Sequence, residues 1–331
     1  MSGLFVQKHV EALRTQGCEA RVICSQGWQD TWRQWKALRR EGWMPEVVQL
    51  NVIQKQGALA LWLKRTYGIP FIIVEHWSGY LPENGIYRHM SLIKRRFMER
   101  VCREAEVVLA VSQRLQDAMK DCGLEAKQWG LIDNVVDEFF YKQSDFHRQP
   151  SEIKTLLHVS CFDEQSKNVK GLLRAAKMLS EKRKDWRLVL VGTGVDYADV
   201  QAYAQDITIP NDVLLWTGEL TPQEVAVWMQ QSDALVLSSR YETYGVVLAE
   251  AYAAGLPILS TPVGIAEDIA TLIVPQEIAQ NKAGRFAEFI ESVLWNTDRF
   301  ATSVQNTDRF SGKSIGKKLR AYYDSCLHRD I

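Results

Sequence analysis

The stretch SSRYETYGVVLAEAYAAGLP, residues 238–257, decides the fold. The apolar run Ala234–Leu237 before it reads as a strand, and Pro257–Ser260 at its end begins another. Between them Tyr244–Ala254 reads as a helix, so strand, helix and strand follow in order, the signature of a β-α-β unit in a parallel sheet. Gly245 in the first turn lets another group come close to the backbone. The N–H groups of Tyr244, Gly245 and Val246 open the helix without intrahelical partners, where the dipole favours an anion.

Two carboxylates frame that opening. Glu242 stands just ahead of it, and Glu250 follows eight positions later, roughly 12 Å along a helix at 1.5 Å per residue. Glu250 shares a face with Val246, Val247 and Ala254 and is expected to be partly buried, where a carboxylate without partners is destabilising. A pair of sugar hydroxyls would satisfy both its oxygens. A nucleotide diphospho-sugar suits the arrangement, with its diphosphate at the helix start, its ribose at Glu250 and its transferred sugar at Glu242. Two glutamates at this spacing also arise by chance in a chain with 40 acidic residues, so the strand, the Ser-Ser-Arg turn and the glycine carry the reading.

Outward from this stretch the alternation continues in both directions. Ahead of it stand strands at Thr155–Ser160, Arg187–Val191 and Val213–Thr217, with helices at Val169–Lys182 and Pro222–Gln230. In the first half, a helix at Phe5–Thr15 precedes expected strands at Glu19–Ser25, Glu46–Val52, Pro70–Val74 and Val107–Val111. Helices are expected there at Gly57–Tyr67 and Gln113–Asp121, and a basic amphipathic helix at Ser311–Leu327. The polar stretch Tyr141–Glu152 has linker composition. The expected fold class is α/β, two doubly wound parallel-sheet (Rossmann-like) domains facing across a cleft. The first covers residues 1–148 and is completed by the helix at 312–331; the second covers 149–311. Ligands in such sheets bind at the carboxyl ends of the strands. The chain opens on a helix where a doubly wound domain opens on a strand, so the first strand is expected to be missing.

Composition excludes several classes. The 331 residues carry 40 basic and 40 acidic side chains and no net charge, so no global field draws the chain to nucleic acid, and no reader motif is present. The cysteines at 18, 24, 102, 122, 161 and 326 form no C-x-x-C pair and read as reduced thiols. There is no apolar run of membrane-spanning length and no signal-peptide pattern, which leads to an expected cytoplasmic location. A nicotinamide-dependent dehydrogenase needs G-x-G-x-x-G, but after Gly192 and Gly194 the third position is Tyr197.

SRYETYGVVLAEAYAAGLPIL resembles the signature of family 4 retaining glycosyltransferases of the two-domain GT-B architecture. VSQRLQDAM with NVVD at Asn134–Asp137, KNVKGLLRAA at Lys167–Ala176, LVLVGTG at Leu188–Gly194 and VEHWSG at Val74–Gly79 resemble further motifs of that family. The resemblance implies that Glu242 contacts the donor sugar and Glu250 the ribose. It implies that Lys167, with the backbone at Tyr244–Val246, neutralises the departing diphosphate, that Gly192 binds the donor in the glycine turn near the base, and that His76 lies near the transferred sugar. It implies retention of configuration, and same-face attack assisted by the departing phosphate is favoured, since no carboxylate nucleophile is evident. No Asp-x-Asp pair is present to hold a metal, so no metal or other cofactor is expected and fixed positive groups take its place.

Besides the missing first strand and the glycine-rich loop expected with it, the sequence departs from the family at three points. Ser160, Cys161 and Phe162 stand where an arginine is usual, leaving Arg240 as a candidate replacement. Val135 replaces a glycine, and the segment after Gly264 is short. The expected partners are a nucleotide sugar (UDP- or GDP-linked) and a glycan or lipid-linked acceptor in cell-surface polysaccharide synthesis, with peripheral contact to the inner membrane face. Two basic patches fit that contact. One is SLIKRRFMERVCRE, with Ile93, Phe97 and Val101 among Lys94, Arg95, Arg96, Arg100 and Arg103. The other holds Trp28, Trp32 and Trp35 beside Arg33, Lys36, Arg39 and Arg40. Each also fits an amphipathic helix packing on its own sheet. A sugar-nucleotide-binding or partner subunit without catalysis is the alternative from a different class.

Overall fold

The computed structural model describes residues 2–24, 27–141, 151–295 and 307–327. The chain forms two compact units, Met1–Val135 with Arg309–Ile331, and Val136–Asp308. The expected boundary at residue 148 and most of the linker-like stretch fall within residues 142–150, outside the described residues.

The first unit begins with helix α1 (Ser2–Thr15) and α2 (Trp28–Arg40), followed by β1 (Val48–Asn51), α3 (Gly57–Tyr67) and β2 (Phe71–Glu75). Next come α4 (Ile86–His89), α5 (Leu92–Glu104), β3 (Val107–Ala110), α6 (Gln113–Asp121) and β4 (Trp129–Leu131). The strands lie in the order β1-β2-β3-β4, all parallel. Buried on both faces, β3 and the first four residues of β2 are continuous apolar runs, as a parallel sheet covered by helices requires. One face holds Ile72, Val74, Val107 and Leu109 against Leu13 of α1 and Ile315 and Leu319 of α15 (Gly312–Leu327). Those two helices cross closely: a Cβ at Gly316 would stand 2.4 Å from the carbonyl oxygen of Ala12. On the other face Trp35, Leu59, Leu63 and Ile69 form a second cluster.

The expected strand at Glu19–Ser25 does not form among its described residues, 19–24. A ladder needs a neighbouring strand to take its backbone groups, and here helix side chains take them instead. Arg14 donates to the carbonyl of Ala20 at 3.1 Å, while Gln34 accepts from the N–H of Cys24 and donates to its carbonyl.

The two basic patches separate once folded. Trp35 is buried, and Trp32 packs edge-on against Trp62 of α3 at 4.8 Å, so the tryptophan face of α2 is largely internal packing. In α5 the expected face splits. At about 100° per residue Val101 rotates inward with Met98 and Cys102, while Leu92 and Ile93 remain 67% and 83% exposed beside exposed Lys94, Arg96 and Arg100. No helix among the described residues is long and apolar enough to cross a membrane.

The second unit contains β5 (Lys154–Val159), α7 (Glu164–Lys167), α8 (Val169–Lys182), β6 (Trp186–Val191), α9 (Tyr197–Asp206) and β7 (Leu214–Gly218). It continues through α10 (Pro222–Gln231), β8 (Ala234–Leu237), α11 (Val246–Ala253), β9 (Ile258–Ser260), α12 (Ala266–Ile269), β10 (Leu272–Ile273), α13 (Gln276–Asn281) and α14 (Ala283–Trp295). Thr221 and Glu224 start α10 with a reciprocal capping box, and Pro222 occupies its first position. The strand order β10-β9-β8-β5-β6-β7 is parallel throughout. From β5 the chain builds outward to β6 and β7, then returns to the other side of β5 with β8. The order therefore reverses between β5 and β8, where the connections leave in opposite directions and open a crevice at the carboxyl ends.

Candidate functional site

The two segments singled out from the sequence leave β5 and β8, the strands that flank this reversal. After β5 the chain turns through Ser160, Cys161 and Phe162, the last at φ +44°. The turn is pressed against the one after β6. Gly192 lies at φ +118°, where a Cβ would come 2.0 Å from the carbonyl oxygen of Ser160. At Gly194 a Cβ would meet that of Cys161 at 1.6 Å. Only glycine allows these backbones so close, so Gly192 acts here by admitting the neighbouring turn. His158 supports it from below: fully buried, it lies 3.0 Å from the Val236 carbonyl through Nδ1 and 3.0 Å from Ser160 Oγ through Nε2. Burial pushes its pKa down to about 4, so the neutral ring donates to the carbonyl and accepts from the serine.

Asp163 caps α7, accepting from the N–H of Gln165, and the single turn ends at Asn168 with φ +51°. Asn168 is both the last cap of α7 and the first of α8, and its buried amide is a junction. Its Nδ2 donates to the carbonyls of Ser238 and Ala279, and its Oδ1 accepts from Arg240. Ser238 Oγ returns a bond to the Lys167 carbonyl at 3.0 Å. Arg240 donates to the carbonyls of Glu164 and Gln165, and its own N–H reaches the Ser166 carbonyl at 2.7 Å. The Arg240 guanidinium thus clamps the turn that carries Lys167.

These bonds set Lys167 against Glu242. Lys167 Nζ lies 2.5 Å from Glu242 Oε1, both side chains are 15% exposed, and Ser239 Oγ donates to the same oxygen at 2.8 Å. Burial opposes the lysine charge, yet the adjoining carboxylate holds its pKa above that of a free lysine. Two residues predicted from separate motifs therefore form one ion pair across the β5–β8 crevice.

Beyond Glu242 the structure corrects the helix start. Tyr244 is buried ahead of the helix, and its carbonyl accepts from the Ile265 N–H at 3.0 Å. The loop that covers it needs Gly264, since a Cβ there would stand 2.1 Å from the Tyr244 oxygen. Gly245 at φ +79° is the N-cap and α11 begins at Val246, two residues later than the expected Tyr244. The left-handed turn that glycine permits delays the helix. Val246, Val247 and Glu250 form the half-exposed stripe of α11, between buried Leu248, Ala249 and Ala251.

His76 belongs to the first unit, at the carboxyl end of β2. Glu75 before it is fully buried and accepts four bonds. The N–H groups of His76 and Trp77 reach Oε1 at 3.0 Å each, while the Ile53 N–H and the Tyr80 hydroxyl reach Oε2. Burial pushes the Glu75 pKa up, against these four donors. Phe5 stacks on the His76 ring at 5.5 Å. Sequence reading missed Glu75, Asn168, Ser238 and Ser239. For Asn168 a signal existed: asparagine just before an apolar helical run is a residue that tolerates positive φ.

The chain resembles several known proteins. A 31% identical match over 168 residues is N-acetyl-alpha-D-glucosaminyl L-malate synthase of Bacillus anthracis, covering 49% of this chain and 42% of that protein. Alpha-monoglucosyldiacylglycerol synthase of Streptococcus pneumoniae is 26% identical over 235 residues, 64% of this chain and 52% of that protein. The chain spans about half the length of the curated relatives it matches first. Among solved structures, HepE of Anabaena in complex with UDP and glucose superposes with a TM-score of 0.70 at 18% identity, over 98% of this chain and 96% of that one. That likeness shows the fold: two parallel-sheet α/β domains of the GT-B class. The Glycosyltransferase Family 4 model matches residues 8–138, and the model for Glycosyl transferases group 1 matches residues 140–308, just over half of the chain. The chain therefore belongs to the group 1 glycosyl transferases, with a family 4 segment ahead of the group 1 segment.

Proposed function

We propose that this protein is a retaining glycosyltransferase that moves a sugar from a nucleotide diphospho-sugar to a glycan or lipid-linked acceptor, without a metal. The observation that carries the proposal is the Lys167–Glu242 pair at the β5–β8 reversal, three residues ahead of the N-cap of α11. One cation, one carboxylate and an open helix start together match a diphosphate joined to a hydroxyl-bearing ring. In the reaction the acceptor oxygen bonds to the anomeric carbon as the bond to the diphosphate breaks. The electron pair leaves on phosphate, which takes the acceptor proton on the same face. Lys167 and the N–H groups at the head of α11 meet the charge that develops. Glu242, released from Lys167 by the incoming phosphate, is left to hold sugar hydroxyls, and Glu250 on the half-exposed stripe of α11 holds the ribose. His76 is assigned to the transferred sugar. Arg240 acts through the Lys167 turn.

HepE was solved with UDP and glucose, which favours a UDP-linked donor. The diacylglycerol in the name of the pneumococcal relative favours a lipid-linked acceptor. So does the exposed Leu92–Ile93 tip of α5 with Lys94, Arg96 and Arg100, which suits an anionic bilayer surface.

One experiment tests donor and surface together. Nucleotide release from a panel of UDP- and GDP-sugars is followed with and without phosphatidylglycerol vesicles, alongside vesicle flotation. We expect release from at least one donor, a drop of about 100-fold or more in Lys167→Ala, and loss of flotation in Leu92→Ser/Ile93→Ser. Binding of a donor without any turnover would favour the non-catalytic binding subunit, and no binding at all would sink the proposal.

A further inference from the structure

Two loops of the first unit, leaving the carboxyl ends of β1 and β2, are tied to one buried carboxylate. Glu75 is the last residue of β2 and is fully enclosed. The Ile53 N–H reaches its Oε2 at 3.0 Å from the loop after β1. From the loop after β2 come the N–H groups of His76 and Trp77, each 3.0 Å from Oε1, and the Tyr80 hydroxyl, 3.3 Å from Oε2. An ionised carboxylate carries acceptors alone, so it meets four donors at once, whereas an amide would turn a donor toward one of them. A charge inside the protein is a costly way to satisfy backbone N–H groups, which carbonyls serve in the other turns. What the carboxylate adds is geometry, because one short side chain fixes both loops to the end of the same strand.

Strain in the first loop points the same way. Val52 lies at φ +64°, where a β-branched residue is a genuine outlier. Its N–H still donates to the Val74 carbonyl at 2.9 Å, so the chain keeps step with β2 as far as Val52 and kinks there. The kink turns the Ile53 N–H onto Glu75 and buries Ile53 before the chain enters α3. Strained backbone of this kind persists only where its surroundings impose it, and it concentrates at functional sites. The second loop is fixed as closely. The Trp77 ring lies on Gly79, where a Cβ would come 2.0 Å from it, and stands edge-on to Tyr80 at 4.9 Å. Both loops occupy the end of a parallel sheet at which α/β proteins bind their ligands.

We propose that Glu75 is a positioning residue for sugar transfer, holding the kink at Val52 and the loop at residues 76–80 in the one arrangement in which the first unit serves the reaction. The inference rests on the glycosyltransferase reading and gives Glu75 no contact with either substrate. Binding of the nucleotide, carried by Lys167, Glu250 and the head of α11 in the second unit, does not depend on it.

The full chain is compared with Glu75→Gln, which keeps the volume and removes the charge. Three quantities are measured: turnover of the donor that the parent uses in a panel of UDP- and GDP-sugars, affinity for the matching nucleoside diphosphate, and amide exchange residue by residue. We expect kcat to fall about tenfold or more, as misplaced groups cost rate, with nucleotide affinity kept within about twofold. The carboxamide oxygen can keep the His76 and Trp77 bonds, but its N–H groups then face Ile53. The Ile53 amide should therefore exchange about tenfold faster, while Ile73 and Leu109 inside β2 and β3 keep their rates. Adding Val52→Gly, which relieves the strain of positive φ, should raise kcat of Glu75→Gln about threefold or more.

A kcat equal to the parent's overturns the assignment and leaves the transferase reading standing. Parallel loss of kcat and nucleotide affinity, or faster exchange throughout the strands, would show a residue that only supports the fold and overturns it as well. So would a double variant no faster than Glu75→Gln. A parent that turns over no donor overturns the inference together with the transferase reading. Should Glu75→Gln fail to fold, Glu75→Asp, which keeps the charge and withdraws it by one methylene, is judged by the same split between kcat and nucleotide affinity.

Discussion

At the scale of single residues, the Lys167–Glu242 pair is where charge, burial and chemistry meet. Each side chain is mostly enclosed, and each would be left near an uncompensated charge if the other were removed. Truncating one partner of such a pair destabilises more than truncating both. Lys167→Ala and Glu242→Ala should therefore each lower stability by about 2 kcal/mol, and the double variant by clearly less than their sum. Urea unfolding of the four proteins measures the coupling. Strictly additive losses would mean that solvent already screens the pair. Both residues were legible in the sequence, each from its own motif. That they bond to each other was not, because the contact joins residues 75 positions apart through the order of strands in a sheet.

At the scale of elements, the short α7 turn and the start of α8 depend on one asparagine and one glycine. Asn168 holds positive φ and bridges three segments, and Gly171 gives it room: a Cβ there would stand 2.6 Å from the Asn168 amide and 2.7 Å from the Ala279 carbonyl. Because the Ala279 contact is backbone, the neighbour cannot simply rotate away. Gly171→Ala, although it raises helix propensity, should destabilise by about 1–3 kcal/mol, and chemical denaturation would read it. A stabilised variant would mean that α8 shifts freely and that Asn168 does not set the height of Lys167. Most helices and strands of both units were readable from periodicity, among them α3 and α8, whose apolar faces match the cores they cover. The failures share a cause. The segment at 19–24 has strand composition but gives its backbone to Arg14 and Gln34, and α11 starts late because Gly245 turns left-handed under the loop at Gly264. Local propensity is outvoted wherever a distant group claims the same backbone.

For the whole molecule, buried histidines link stability to pH. His9, His76 and His158 have pKa values lowered to about 4, about 3 and about 4, while an unfolded histidine titrates near 6.5. Below about pH 6.5 the unfolded chain takes up protons that the folded chain refuses, so stability falls as pH drops toward 4. Each unit of separation is worth about 1.4 kcal/mol per group. Glu75, with its pKa raised by burial, acts in the opposite sense and offsets part of the loss. The raised pKa of Lys167 adds stability that persists through neutral pH and disappears only as pH climbs past the lysine range. Urea midpoints measured from pH 7.5 to 4.5 should decline steadily, and a flat profile would contradict the neutral buried rings.

The alternation of apolar runs, the Gly245 turn and the two glutamates were enough to determine a pair of parallel α/β sheets and the strand-helix unit of the second that carries Glu242 and Glu250. Those properties live in spacing along the chain, which periodicity and backbone freedom govern directly. Only the tertiary structure decided that Lys167 meets Glu242, that Arg240 clamps a turn, and that His9 and His158 are buried. Such meetings depend on strand order and helix crossing, where buried charge acquires its energetic meaning.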